Sequence, residues 1–243
     1  MQSNQVASPP EIANRATIEN GRRLLEQCAL FRTLSEEARQ ELVSHAHRRS
    51  FDPGEQIFHV GSPGQSMMAV LAGTVRISLT TAKGKEIVLA DLSAGELFGE
   101  MALLDGKERS ADATALSKCE LLVLERRDVI PFLRLHPDSC LQLLEMLSTR
   151  LRRLDEQMAE IAFFELPARL AKTLLRTAQP SGRGNKQLKL SLSQSDLAKM
   201  IGATRETVNR CLRDWQRRGV LDLKGGWTII LKPEALEDLA GST

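Results

Sequence analysis

No run of apolar residues in this 243-residue chain is long enough to span a bilayer. Its polar start, with Pro9–Pro10, has no secretory h-region, so the expectation is a cytoplasmic protein without a membrane partner. The four cysteines, Cys28, Cys119, Cys140 and Cys211, have no CxxC or other ligand-like spacing, which argues against cluster ligation and for reduced, partly buried thiols. His45, His47, His59 and His136 are scattered among polar or strand-like neighbours and read as surface or packing residues. A His–Asp cluster for a hydrolytic metal is missing, and so is a nucleophile beside a base. The expectation is no metal and no enzyme.

Net charge is only +2, but it is unevenly placed. Before Glu165 there are 19 basic and 23 acidic residues; from Glu165 onward there are 14 and 8. The positive field therefore gathers in the last third of the chain, where it would attract a polyanion. Length and apolar content suit one large domain or two smaller ones.

In that basic third, Ser193 has the character of an N-cap, and Leu197, Met200 and Ile201 form an apolar face at helical spacing. Gly202–Ala203 makes a tight turn. A second helix is expected from about Thr204 to Arg218, burying Val208, Cys211, Leu212 and Trp215 and turning Arg205, Glu206 and Arg210 outward. This is a helix-turn-helix whose second helix would enter the major groove of double-stranded DNA. Arg205 and Arg210 can each donate two hydrogen bonds to a guanine, and Glu206 can accept from a cytosine amino group. Thr204, Thr207, Asn209, Ser193 and Gln194 are candidates for phosphate contacts. Beyond Gly219, Val220 to Leu231 alternates around Gly225–Gly226, a pair suited to a two-residue hairpin, which makes the domain winged.

Residues 1–20 read as a loose tail, and Asn20 to Glu41 as helical with a restart at Ser35. From Ser50 to Leu124, short period-two runs at Gln56–Val60, Met67–Leu71, Thr74–Leu79, Glu86–Leu89 and Glu120–Leu124 are separated by glycine and proline turns. They predict a small antiparallel barrel or jelly roll. Afterwards Cys140, Leu144, Leu147, Leu151, Leu154, Met158 and Ile161 alternate steps of four and three, a coiled-coil stripe. A helix packed on its own barrel would show the same stripe. Paired half-sites on DNA require a two-fold dimer, which favours Leu144, Leu147, Leu151, Leu154, Met158 and Ile161 as a homodimer seam.

The segment Gly95–Ala115, GELFGEMALLDGKERSADATA, resembles the phosphate-binding cassette of the cyclic-AMP receptor branch of the Crp/Fnr superfamily. With the Arg-Glu-Thr-Val-x-Arg helix at Arg205–Arg210, the resemblance extends from about Leu30 to Leu231. It implies an α+β fold: a tail (1–20), a cyclic-nucleotide-binding β-roll, or jelly roll (21–135), a long dimerisation helix (136–164), and a winged helix-turn-helix (165–243). It also implies cyclic AMP as effector, a TGTGA-like palindrome as target, and RNA polymerase as a further partner; cyclic GMP is the alternative that the base-reading positions leave open.

The chemistry of the cassette can be argued residue by residue. Arg109 can meet two exocyclic phosphate oxygens bidentately, and Ser110 can add a hydroxyl and an N–H. Gly99 permits close approach, a short helix over Phe98–Leu104 would aim its amides at the ligand, and Glu100 would accept the ribose 2′-OH. Ile77, Leu89, Phe98, Met101, Ala102 and Ala111 complete the pocket that the resemblance implies. Where the family reads the purine with a Thr and a small polar residue, this chain has Leu154 and Asp155. Asp155 can accept from an adenine amino group, or twice from guanine, or it is solvated or paired with Arg152. A ligand-independent or redox- or gas-sensing relative would keep the DNA reader and change the sensor; the iron–sulfur version needs a cysteine group near the N-terminus, where only Cys28 lies.

Overall fold

A computed structural model describes residues 34–81, 84–180 and 188–241. The expected tail and residues 20–33 of the expected 20–41 helix lie outside the described residues. The chain divides into two compact units: the described residues up to Leu79 with Ala90–Ser148, and Thr80–Leu89 with the chain from Thr149 onward.

The first unit begins with α1 (Glu36–Ser44), which starts where the sequence places a restart: Ser35 caps it, its side chain accepting from Ala38 N at 3.2 Å. Eight strands follow: β1 (His47–Phe51), β2 (Gln56–Phe58), β3 (Ser66–Ala72), β4 (Val75–Thr80), β5 (Glu86–Leu92), β6 (Leu97–Phe98), β7 (Asp112–Ala115) and β8 (Cys119–Glu125). They form two four-stranded sheets, ordered β1-β8-β3-β6 and β2-β7-β4-β5. This is the expected β-roll. Strand β3 is buried on both faces: Met67, Ala69 and Leu71 pack with Leu42, Leu124 and Phe132, whereas Met68 and Val70 pack with Phe51, Phe98 and Leu121 inside the roll. That double burial is why Met67–Leu71 is an unbroken apolar run rather than an alternation.

Several elements differ from the sequence-based reading. Strand β1 was not expected because its residues, His-Arg-Arg-Ser-Phe, bury only Phe51 at the sheet edge. Strand β7, Asp-Ala-Thr-Ala, pairs with β2 and β4 but has side chains too small to signal a strand. The short helix α2 runs Glu100–Asp105, not Phe98–Leu104, because Phe98 ends β6 and Gly99 caps the helix with φ +77°, a left-handed conformation that closes off any earlier turn. Helix α3 (Arg126–Leu135) carries Pro131 inside it and was also not anticipated.

Helix α4 (Pro137–Phe163) runs 27 residues, close to the expected 136–164, and crosses the division between the units. In its first half Leu143 is buried, and Cys140, Met146 and Leu147 pack part-buried against the α1–α3 side of the roll. Leu144, Leu151, Leu154, Met158 and Ile161 are exposed, at 45–69%. The stripe is thus shared: Cys140 and Leu147 face the roll's own core, and Leu144, Leu151, Leu154, Met158 and Ile161 remain uncovered in the single chain.

The second unit contains α5 (Leu166–Thr177), β9 (Gln179–Pro180), β10 (Leu188–Leu190), α6 (Gln194–Ile201), α7 (Arg205–Arg217), β11 (Leu221–Lys224), β12 (Trp227–Ile230) and α8 (Pro233–Gly241). The sheet order is β11-β12-β10-β9. Gly225 and Gly226, at φ 60° and 80°, make the two-residue turn that pairs Lys224 with Trp227. Leu170, Leu174, Leu197, Ile201, Val208, Leu212, Trp215 and Leu236 share one core. Helix α8 was not expected from sequence. None of the described helices is long and apolar enough to cross a membrane.

Candidate functional site

The cassette is organised around Arg109, which is 5% exposed. Its backbone is held by two hydrogen bonds to the loop after β2: Arg109 N donates to Ser62 O, and Gly61 N to Arg109 O, both at 2.8 Å. Its guanidinium donates from Nη1 to Gly99 O (2.8 Å) and from Nη2 to Ser66 Oγ (3.0 Å), and its Cζ lies 4.3 Å from the centroid of the Phe58 ring. Arg109 Nε is buried without a hydrogen-bond partner. A buried donor left unpaired costs about 1–3 kcal/mol, which an anion would recover. Burial pulls the guanidinium below its ordinary pKa, and the negative charges of Glu100 and then Glu125 work against that shift.

Glu100, 3% exposed, is the first residue of α2. Gly99 before it has no room for a side chain: a Cβ would stand 2.5 Å from Arg109 Nη1 and 3.3 Å from Ser66 O. At Gly64 a Cβ would collide with Ala102 Cβ, so the loop after β2 lies directly on α2. Arg126 Nη1 donates to Leu104 O at 3.1 Å, fixing the far end of α2. Phe98, Ala102 and Ala111 are buried, Ile77 and Leu89 half-buried, and Met101 exposed. Ser110 is exposed, with Oγ 3.6 Å from Met101 Sδ. Leu154 and Asp155 stand exposed on α4 beyond Ser148. The structure therefore brings Gly99, Glu100 and Arg109 together, and adds Ser66, Phe58 and Gly64, which sequence reasoning passed over. Ser66 carried a signal, being the polar residue at the head of an apolar strand.

In the second unit, α6 is capped by Ser193, whose Oγ accepts from Asp196 N at 3.0 Å, and Thr204 Oγ1 accepts from Thr207 N at 3.2 Å to start α7. Gly202 at φ 65° ends α6, its N–H bonded to Ala198 O. Val208, Leu212 and Trp215 are buried and Cys211 half-buried, which leaves Arg205, Glu206 and Arg210 exposed. Gln194 and Asn209 are half-buried, and Asn209 Oδ1 accepts from Arg213 Nε at 3.0 Å. An open groove along α7 is lined by Glu206, Asn209, Arg210, Arg213, Gln216 and Arg217. The last three were not among the expected contacts, although their spacing from Glu206 and Arg210 puts them on the same helical face.

Comparison with known proteins agrees with both halves of this geometry. Residues 48–136 match the cyclic nucleotide-binding domain family, and residues 168–239 the Crp-like helix-turn-helix domain family. The chain is 36% identical over 211 residues to the cyclic AMP receptor protein of Thermus thermophilus, covering 87% of this chain and 96% of the relative. It is 30% identical over 216 residues to the CRP-like cAMP-activated global transcriptional regulator of Mycobacterium tuberculosis, covering 88% and 96%. The chain belongs to the Crp/Fnr family. A solved Crp/Fnr-family transcriptional regulator from Thermus thermophilus superposes with a TM-score of 0.68 at 28% identity, covering 81% of this chain and 99% of that one. As a Crp/Fnr protein it is a DNA-binding transcription regulator with a cyclic nucleotide-binding domain, and not an enzyme. Among the described residues no group of three or more His, Cys, Asp or Glu is placed to hold a metal ion.

Proposed function

We propose that this protein is a cytoplasmic homodimer whose DNA binding is switched on by cyclic AMP. The observation that carries the reading is the Arg109 cradle: a buried cation with an unpaired Nε, placed beside a glycine with no room for a side chain. A cyclic nucleotide offers one phosphodiester anion for Arg109 and a 2′-hydroxyl for Glu100, with Ser110 adding its hydroxyl. Its base would meet Leu154 and Asp155. The carboxylate of Asp155 accepts from the amino group of adenine and also suits guanine, so cyclic GMP is the competing effector.

The functional division follows the sequence: nucleotide binding in 21–135, dimerisation in 136–164 and DNA binding in 165–243. The uncovered Leu144, Leu151, Leu154, Met158 and Ile161 supply a seam for a second copy. Two recognition helices about 34 Å apart would enter successive major grooves of a TGTGA-like palindrome. Arg205 and Arg210 would read guanines and Glu206 a cytosine, while Ser193, Gln194, Thr204, Thr207 and Asn209 position the helix on phosphates. Nucleotide shifts the population only by its differential affinity for the DNA-competent state; a preference of about 1–3 kcal/mol tightens DNA binding roughly 5- to 150-fold. RNA polymerase is the partner such a regulator would address.

The test is fluorescence anisotropy with a palindromic TGTGA duplex at fixed salt, without nucleotide, with cyclic AMP and with cyclic GMP. Tightening by cyclic AMP above that by cyclic GMP is expected. Equal, tight binding in all three would mean a constitutive DNA binder and sink the switch.

A further inference from the structure

We propose that Phe58 and Ser66 are positioning residues that set the aim of Arg109 toward the ligand phosphate. This rests on the reading of the cassette as a phosphate site.

A guanidinium binds a phosphodiester well only when two of its donors meet two oxygens in one plane, so the orientation of that plane decides what the cation delivers. A long arginine side chain has no preferred plane of its own, and holding one costs rotamer entropy unless the surroundings impose it. Here three contacts from three elements impose it. Gly99 O, at the β6–α2 junction, takes Nη1, and Ser66 Oγ, at the head of β3, takes Nη2; these two bonds fix rotation within the plane. The cation stands over the Phe58 ring on β2, with Cζ 4.3 Å from the ring centroid, and this contact limits how far the guanidinium can swing. Phe58 is itself held by Phe98, with centroids 5.8 Å apart and an interplanar angle of 36°.

The Nε edge is left over. Neither Gly99 O nor Ser66 Oγ touches Nε, which is the donor without a partner. The surroundings therefore occupy one side of the fork and reserve the other. Glu100 and Glu125 support the cation electrostatically, while the hydrogen bonds from Nη1 and Nη2 go to neutral acceptors. Orientation falls to the neutral partners, which can fix the guanidinium without a carboxylate competing for the ligand-facing donors.

The experiment measures binding of cyclic AMP and of its two exocyclic phosphorothioate diastereomers to the full-length protein. Sulfur replaces one exocyclic oxygen in each diastereomer, so their affinity ratio reports how unequally the guanidinium engages the two oxygens. Phe58→Leu and Ser66→Ala should each weaken cyclic AMP by about 5- to 30-fold and drive the diastereomer ratio toward one. Phe58→Tyr, which keeps the ring face, should restore both. A ratio unchanged from wild type in Phe58→Leu and Ser66→Ala, with all three ligands weakened alike, would make the two residues packing elements only and overturn the proposal. Arg109→Ala separates the two levels: if it leaves cyclic AMP affinity untouched, the phosphate-site reading falls and the positioning role with it. If Arg109→Ala abolishes binding while Phe58→Leu and Ser66→Ala leave the ratio intact, the positioning role alone is wrong.

Discussion

Gly99 and Arg109 are complementary in shape: the missing side chain of one is the space taken by the guanidinium of the other, with a built Cβ only 2.5 Å from Nη1. Gly99 also holds φ at +77°, a region other residues enter at a cost of about 1–2 kcal/mol. Gly99→Ala is therefore expected to lower stability by roughly that amount and to weaken cyclic nucleotide binding more than tenfold by displacing Arg109. Denaturant unfolding and calorimetric titration would measure the two effects; unaltered nucleotide affinity would show that the close approach is unimportant.

Arg109 should reveal a conflict between stability and ligand binding. Burial lowers its pKa, yet the group stays cationic through neutral pH in folded and unfolded chains alike, so it adds no pH dependence to stability between about pH 5 and 8. Arg109→Met removes the buried charge together with its two hydrogen bonds to the neutral acceptors Gly99 O and Ser66 Oγ. The melting temperature is expected to stay within a few degrees of wild type. Nucleotide affinity should fall about 30-fold or more, as for loss of a buried charged partner. Nucleotide-induced thermal stabilisation, worth about 2.7 kcal/mol at one hundred times the wild-type Kd, should fall to about 0.9 kcal/mol or less at the same nucleotide concentration. A large drop in melting temperature without ligand would contradict this.

On α7 the exposed arginines should separate by role. Arg205→Ala is expected to cost about 1–3 kcal/mol on the cognate duplex and to relax one base position. Arg213→Ala, beyond the expected readers but lining the same groove, should weaken all sequences alike and reduce the salt slope by about one. Competition binding over a panel of single-base variants at several salt concentrations distinguishes the two patterns, and the reverse assignment would refute this reading of the groove.

Burial raises the pKa of the Cys211 thiol; Arg210 pulls it down and Asp214 pushes it up. A thiol with a raised pKa has little thiolate at pH 8, so iodoacetamide should modify Cys211 slowly there and faster only as pH climbs past the ordinary thiol range. Mass spectrometry of tryptic peptides against a pH series would follow this. Fast labelling of Cys211 at pH 7 would show the environment to be misjudged.

The uncovered row on α4 predicts an oligomeric state. Leu151→Asp, at a position 60% exposed in the single chain, should leave the monomer fold intact by circular dichroism and shift sedimentation from dimer to monomer. A dimer that survives Leu151→Asp would place the seam elsewhere.

What could be read in the sequence depended on how each element announces itself. Helix α7 announces itself twice, through the Thr204 cap and through Val208, Leu212 and Trp215 at helical spacing, and its observed range falls within one residue of expectation at each end. The hairpin at Gly225–Gly226 was equally plain, because few sequences but Gly-Gly allow two positive φ values in succession. Strands β1 and β7 were hidden for physical reasons: one lies at a sheet edge and keeps its polar residues in water, the other is built of small residues. In the cassette, Arg109 and Gly99 stood out by residue type. Their partners Ser66 and Phe58 lie 43 and 51 residues before Arg109 in the sequence, and only the closing of the roll brings them beside it.

Helix α4 has neither glycine nor proline after Pro137 in its 27 residues, so nothing in its backbone invites a bend. A glycine introduced midway would be the first interruption of that run, loosening a backbone ladder that every present residue supports at a cost of about 1 kcal/mol of helix stability.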